Sequence, residues 1–582
     1  MDSPASAAVL PRSAWGRDLL LLTIVFGALY FFRLGSYPLS NPDEGRYAEV
    51  PREMLATGDW VTPRLDGVNY FEKPPLVYWV TAVFEKIFGA NEWAVRAVPA
   101  LFALGGILLT YAAARGLYDR LTGWASATVL GTCVLWFIVG HIPLLDTAMS
   151  VWMSGTLFCF ILGVQAPPGP KRRWLLLGMY VCAALATLTK GMIGFLVTGA
   201  VMFLWVLLFN RWKRLLPLYL PSGIAVFLAV ALPWHVLAAL HNATWVHRYL
   251  VFEHFLRFLT PAASRHGPWH YFLWVVVGGL MPWTGFMWPQ LRQVFAAGWK
   301  RREAHAVAWF LIIWVGFIVL FFSTSKSKLV PYVLPVFPAL AVLAGVEIAR
   351  SLRANAAGTA RVGFRVFAFF AGALGLALAV FAARPALFRV DPAQAAALRV
   401  PAGALAVLLF TLGVVVLWLA KHRPVRSAVV TLAVGMAAFF AVLQFAAPAL
   451  NKPGTADLKD LAQWVKTHAT TRDRVYDVYD YYQNFSFYAA RLVGVVGRNH
   501  AELELEEDPA ARASGRFISD EELLRQWQGD ERIFLVVQKR KLAEVREHAP
   551  TAGEGSSFLL APNFHYHVIV DRPYYMLLSN RP

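Results

Sequence analysis

Acids are scarce in this chain: 36 Asp and Glu stand against 54 Lys and Arg in 582 residues, and charged residues of all kinds make up only 15%. About a quarter is usual for a soluble protein. With 58% hydrophobic residues and a mean hydropathy of +0.50, the composition excludes a water-soluble chain and implies a membrane protein. Cysteine is rarer still. Cys133, Cys159 and Cys182 all lie inside apolar runs, so they read as small hydrophobes and indicate neither a disulfide framework nor a zinc site. The apolar runs do not alternate with polar residues as the strands of a porin-like barrel would, so helices span the bilayer. The net charge of +18 does not point to nucleic acid, because the excess sits in short connectors between apolar runs, where membrane topology accounts for it.

Apolar runs and aromatics are what the chain has in abundance. The 22 Trp suit the headgroup boundary, and about thirteen stretches approach the roughly 20 residues that a helix needs to cross a hydrocarbon core. They lie near 18–34, 94–117, 122–141, 147–164, 174–190, 192–209, 215–239, 270–297, 305–323, 329–349, 362–383, 401–420 and 426–447. The first is not followed by a small-residue cleavage site, so it is expected to be retained as a span. Basic clusters such as Lys171-Arg172-Arg173 and Lys300-Arg301-Arg302 occupy every second loop, which assigns those loops to the cytoplasm. The long loops 35–93, 240–269 and 384–400 and the polar tail then face outside. We therefore expect a transmembrane domain over 1–448, with the first outside loop 35–93 carrying catalysis, and a soluble α/β domain over 449–582. In that tail, 457–466 has helical spacing, while 474–479, 532–537, 565–570 and 574–578 read as strands. The tail is long enough to bury a core of its own. It has no glycine-rich phosphate loop and no cluster of metal ligands, and no chemistry is assigned to it.

A transporter would carry ionisable or helix-breaking residues near the middle of its spans, and few occur here. Polar groups gather instead in the first outside loop and at the outer ends of several spans. That asymmetry favours an enzyme acting on something lipid-linked at the outer surface. Asp43 and Glu44 open a helix for which Asn41 makes a suitable N-cap and Pro42 a suitable first residue. A capped helix also fixes the position of its first acid, which suits a carboxylate placed at a membrane-facing cavity. The same helix places Tyr47, Val50, Met54 and Leu55 on one face, with Glu49, Arg52 and Glu53 elsewhere, and should lie along the membrane interface. Pro51 should kink it. Asp146, at the outer start of a span, also reads locally as an N-cap. Asp66, Glu85 and Glu92 read as solvated loop charge. Arg46, Lys73, Arg96, Lys190, Lys326 and Lys328 lie at outer ends, where topology disfavours cations. Singly each suits headgroup contact or snorkelling; together around an acidic loop they point to phosphate recognition. Histidines 235, 241, 247, 254, 266 and 270 surround the loop 240–269 without zinc-protease spacing, and polar loop histidines are the simpler reading. If a divalent metal ion binds, Glu72 with His254 is the pair to examine.

The stretch Asp43-Glu-Gly-Arg-Tyr-Ala-Glu-Val-Pro-Arg-Glu-Met-Leu55, with Gly58-Asp-Trp60, Tyr70-Phe-Glu-Lys-Pro74, Phe88-Gly89 and Asn91, resembles the first periplasmic loop of the bacterial aminoarabinose transferases. These are polyprenyl-phosphate-dependent membrane glycosyltransferases of the GT-C type. A second block, Phe322-Ser-Thr-Ser-Lys-Ser-Lys-Leu329 with Pro331-Tyr332 and Leu334-Pro335, is also similar to that family. The resemblance covers the membrane portion; the tail shares only the character of a periplasmic α/β domain. It implies a polytopic α-helical membrane protein of GT-C architecture in the bacterial inner membrane, with amphipathic juxtamembrane helices in the first loop. The donor it implies is undecaprenyl phosphate 4-amino-4-deoxy-L-arabinose and the acceptor a lipid A phosphate, giving resistance to polymyxin and other cationic peptides. Membrane lipids are then the surroundings, nucleic acid is no partner, and a monomer is expected. Carried over by motif, Asp43 is the principal catalytic carboxylate and Asp146 the second acid. Tyr47, Glu72 and Lys73 line the cavity, while Arg46, Lys190, Lys326, Lys328 and Tyr332 stand with the phosphate-binding set. The rival enzyme is a transferase resembling protein O-mannosyltransferases; the rival of another class is a flippase for lipid-linked sugar, disfavoured by the odd span count and the absence of an inverted repeat.

Overall fold

The computed structural model describes residues 14–215, 218–249, 267–497, 503, 505, 508–547 and 564–582. After α1 (Ala14–Tyr30), the first loop holds α2 (Asp43–Thr57), a small hairpin of β1 (Arg64–Leu65) and β2 (Val68–Asn69), and α3 (Leu76–Phe88). There follow α4 (Glu92–Leu117), α5 (Arg120–Gly131), α6 (Val134–Val139), α7 (Leu145–Gln165), α8 (Pro170–Lys190), α9 (Ile193–Phe209) and α10 (Leu220–His241). The rest of the bundle is α11 (Tyr271–Gly279), α12 (Thr284–Ala297), α13 (Ala306–Thr324), a 3₁₀ turn Val330–Val336, α14 (Phe337–Ala354), α15 (Arg361–Ala383), α16 (Pro392–His422) and α17 (Val425–Leu450). Among the described residues eight helical stretches are long and apolar enough to cross a membrane, or nine if the bent pair α11–α12 is one span, where the sequence led us to expect about thirteen. The shortfall has local causes. α1 and α9 are only 17 residues each, α8 carries Lys171 to Arg173 at one end and Lys190 at the other, and the run 122–141 divides into α5 and α6.

Two runs break, and the breaks face one another. α11 and α12 meet at 111° around Pro282, which cannot donate to a helical ladder. At the gap between α5 and α6, the Val134 N–H donates to the Met281 carbonyl at 3.0 Å and Trp283 Nε1 donates to Thr132 Oγ1 at 2.9 Å. Backbone groups freed at such depth find no water, so a broken helix persists where protein groups satisfy it. Small residues allow close packing elsewhere: a Cβ on Gly345 of α14 would stand 2.2 Å from Ser126 Oγ of α5. Arg115 and Arg120 both reach the buried Asp18 carboxylate, at 3.1 and 2.6 Å, and so pin α1 to the neighbouring helices.

After α17 comes α18 (Thr455–His468), then β3 (Arg474–Val478), α19 (Gln483–Ala489), β4 (Gly494–Val496), α20 (Pro509–Ala513), β5 (Phe517–Ile518), α21 (Asp520–Trp527), β6 (Ile533–Gln538), α22 (Lys539–Glu547), β7 (His567–Asp571) and β8 (Tyr575–Ser579). The strands form one sheet in the order β5-β4-β3-β6-β8-β7, parallel from β5 to β6 and antiparallel at the β8 and β7 edge. Ile533-Phe-Leu-Val-Val537 is apolar throughout because both faces of β6 are covered. Ile533, Leu535 and Val537 pack with Leu523 and Trp527 of α21, whereas Phe534 and Val536 pack with Leu458 and Leu461 of α18. The second cluster does not stop at the sheet. Leu39, Val50, Met54, Leu65, Val68 and Tyr78 of the first loop belong to the same buried core, so loop and C-terminal domain share one apolar interior.

Candidate active site

The start of α2 differs from the local expectation. The helix begins at Asp43, Pro42 occupies the cap position, and no side chain caps it. Asn41 turns instead to the C-terminal domain, where its Oδ1 accepts the Asn484 N–H at 2.9 Å and its Nδ2 donates to Asn484 Oδ1. Ser40 supplies the local anchor, donating its N–H and hydroxyl to Glu44 Oε2 at 2.8 and 3.0 Å. Glu44 in turn receives Arg96 Nε and Nη2, both at 2.9 Å, while the same guanidinium donates to the carbonyls of Leu34, Tyr37 and Pro38. Arg96 is fully buried, so its role is to clamp the chain that leads into α2 onto α4 rather than to snorkel.

α2 does not lie with its acids in solvent. Glu44, Glu49 and Glu53 are all buried, Glu44 against Arg96 of α4, and α2 shares an apolar core with the C-terminal domain. Glu49 pairs with Arg52 through two bonds of 2.6 Å, and Glu53 accepts the backbone N–H groups of Asp66 and Gly67 at 2.5 and 2.8 Å. Pro51 sits inside the helix without ending it. Asp66, Glu85 and Glu92, expected as solvated charge, are likewise buried. Asp66 accepts the Val493 N–H at 2.9 Å with Arg516 at 3.4 Å, and Glu92 is held by Lys459 and Tyr488. Desolvation holds Glu53 and Asp66 above the usual carboxylate range, with Arg52 and Arg516 opposing it.

On the first turn of α2, Arg46 Nη1 lies 3.6 Å from Asp43 Oδ1 and its guanidinium 6.0 Å from the Tyr70 ring. Tyr47 stacks on Tyr78 with ring centroids 5.9 Å apart. Burial pushes the Tyr47 phenol up, with the charges of Arg46, Asp43, Glu72 and Asp146 bearing on it, and its ring packs against the apolar cluster of Leu145 and Ala148 that flanks Asp146. Asp146 is not an N-cap. Leu144 holds that position, and Asp146 accepts Lys190 Nζ at 2.6 Å across 44 residues. Lys190 also stands 5.1 Å from the Tyr332 ring centroid, which brings the 3₁₀ turn into the group. Lys73 Nζ bonds the Glu72 carbonyl at 2.7 Å.

Two predicted cations are placed differently. Lys328 is buried and donates to the carbonyls of Ser323 and Ser325 at 2.8 and 2.7 Å, closing its own turn, and desolvation draws its ammonium below the usual lysine range. Lys326 is exposed on the same turn. His254 lies outside the described residues; among the described ones no three His, Cys, Asp or Glu stand close enough to hold a metal ion. The sequence reading named Tyr70 within a motif and passed over Tyr78. Both are fully buried beside the charged group with hydroxyls unpartnered among the described residues. A dry, unpaired phenol costs about 1–3 kcal/mol, so such groups gather where a ligand completes them. Only their nearness to Glu72 and Tyr47 marks them, and that needs the fold.

A family model described as dolichyl-phosphate-mannose-protein mannosyltransferase matches residues 16–252. Among relatives, the undecaprenyl phosphate-alpha-4-amino-4-deoxy-L-arabinose arabinosyl transferase of Erwinia tasmaniensis is 32% identical over 372 residues, 62% of this chain and 66% of the relative. A similarly named transferase of Sodalis glossinidius is 33% identical over 323 residues, 55% of this chain and 58% of its own. These matches span less than two thirds of the relatives' length. Solved structures extend the likeness: ArnT from Cupriavidus metallidurans bound to undecaprenyl phosphate superposes with a TM-score of 0.82 at 27% identity, covering 98% of each chain. The oligosaccharyltransferase of Archaeoglobus fulgidus in its apo form shares the fold alone, with a TM-score of 0.53 at 12% identity over 91% of this chain and 70% of that one.

Proposed function

Because this chain belongs to the aminoarabinose transferases, membrane glycosyltransferases of GT-C architecture, we propose that it transfers 4-amino-4-deoxy-L-arabinose from undecaprenyl phosphate to a lipid A phosphate. The observation that carries this reading is the convergence of Asp43, Arg46, Tyr47, Glu72 and the Asp146–Lys190 pair on the side of the bundle where the C-terminal domain sits. The alternation of basic loops supports placing that side in the periplasm.

In the reaction, an oxygen of the acceptor phosphate forms a bond to the anomeric carbon. The bond from that carbon to the polyprenyl phosphate breaks, and the departing phosphate takes the electron pair. A phosphate monoester with a second pKa near 6 is already largely ionised at neutral pH, so a general base has little to contribute. Asp43 is therefore assigned to orienting the acceptor or stabilising positive charge on the sugar, as carboxylates do around oxocarbenium-like transition states. Arg46, Lys73 and Lys190 are assigned to the phosphates, where fixed cations favour the charge that develops on the leaving group. Asp43→Asn should abolish turnover with donor binding largely retained. The decisive measurement is mass spectrometry of lipid A from a strain lacking its own transferase and complemented with this gene. An aminoarabinose increment is expected with the wild-type chain and none with Asp43→Asn; an active variant sinks the role given to Asp43. Sugar on protein hydroxyls with unmodified lipid A would instead favour the mannosyltransferase-like reading that the family model suggests.

A further inference from the structure

The C-terminal sheet ends in a crevice that the transfer chemistry above leaves unused. β3 is the first parallel strand in the chain, with β4 on one side of it and β6 on the other. The connections from β3 and β6 consequently diverge, and in open α/β sheets ligands bind in the gap that such divergence leaves beyond the carboxyl ends of the strands. Here residues 480–483, which follow β3, and 538–541, which end β6 and follow it, line one cavity of about 870 Å³.

The charge of the cavity is one-sided. Among the described residues, Lys452, Lys539, Arg540 and Lys541 line it together with a single acid, Asp480. Asp480 holds Lys541 at 2.9 Å, Asp571 holds Lys539 from the rim, and Asp391 and Asp457 each accept a hydrogen bond from the lining residue Tyr574, so the described lining itself carries four cations and one acid. Tyr482 and Tyr575 supply ring surface, packed edge to face at 5.3 Å, and the buried Tyr482 hydroxyl has no partner among the described residues. Asn41 and Pro42 complete the wall, which brings the cavity to the residue that directly precedes Asp43. The volume is far larger than inorganic phosphate needs and suits a ligand of disaccharide size.

We propose that this crevice binds the phosphorylated saccharide headgroup of the acceptor, gripping one anionic end while another is presented beside Asp43. The proposal rests on the reading of the chain as a transferase to a phosphorylated acceptor, and it adds a role for the C-terminal domain. Arg540 is exposed, so its substitution leaves the buried core of the domain in place. The test is calorimetric titration of the full-length protein in detergent, without donor, using a soluble bis-phosphorylated glucosamine disaccharide as probe. Inorganic phosphate and the unphosphorylated disaccharide serve as comparators. The bis-phosphorylated probe should bind best. Arg540→Gln and the Lys539→Gln/Arg540→Gln pair should weaken it about tenfold or more, with Arg540→Lys close to wild type, because charge-assisted bonds carry the recognition. In turnover assays the same variants should raise the acceptor KM and leave the donor KM unchanged. Wild-type affinity in both Gln variants, or equal binding of the unphosphorylated disaccharide, overturns the proposal. Because the titration needs no turnover, a chain that binds the probe and transfers nothing would contradict the proposed function and leave the crevice standing.

Discussion

At the scale of single residues, Asp477 makes a sharp test. It is fully buried in β3; Oδ2 accepts the Tyr482 N–H at 2.8 Å, while Oδ1 has no partner among the described residues. Desolvation raises its carboxyl well above the usual range, helped by Asp480 and opposed by the Tyr482 N–H and by Lys541. The folded state thus holds a proton that the unfolded chain releases near pH 4. Stability from this group is complete below that value and is lost as pH rises through the folded pKa. Asp477→Asn keeps an acceptor for the Tyr482 N–H and removes the ionisation, so the thermal midpoint should fall less between pH 5 and pH 8 in the variant than in wild type. Equal slopes would refute the assignment. The sequence marked Asp43, Asp146, Lys190 and Tyr332 as site residues, but it could not pair Glu44 with Arg96, 52 positions away, or Asp146 with Lys190. Local pattern reports the character of a residue, whereas its partner is set by how distant helices pack.

Among elements, the paired breaks of α5–α6 and α11–α12 carry the next prediction. The Thr132 hydroxyl donates to the Thr128 carbonyl and accepts Trp283 Nε1, which is fully buried. Thr132→Val keeps the shape and leaves an indole N–H unpaired, at a cost of about 1–3 kcal/mol. Thermal unfolding in detergent should show the midpoint lowered by several degrees, and an unchanged midpoint would mean that water or lipid satisfies the indole. Sequence located these helices well because an apolar run needs only length and a 3.6-residue period. It missed the breaks because Pro282 and the Thr132–Cys133 gap look tolerable until each is seen to satisfy the other.

For the molecule as a whole, the shared interior of the first loop and the C-terminal domain matters most. Gly45 lies where they touch: a Cβ there would stand 2.5 Å from Asn484 N and 2.9 Å from Asn41 Oδ1. Gly45→Val should force the domain away from the start of α2, lowering both transfer activity and the thermal midpoint. Gly16→Val, at a position with open space around its Cα, serves as the control. Full activity in Gly45→Val would show that the docking has no bearing on Asp43.

Composition and period alone determined that this chain is a helical membrane protein with a polar α/β tail, because burial in lipid and strand or helix spacing are properties of short segments. The tail's length suggested a domain with its own core. Only the tertiary structure decided that eight residues between Leu39 and Tyr78 join one core cluster of that domain, that Asp66 and Glu92 of the first loop bond the domain rather than water, and that Asn484 grips the residue two before α2. Those outcomes depend on which apolar faces meet. That choice is made by shape and by satisfying buried polar groups across more than 400 residues of chain, and no local window contains both partners.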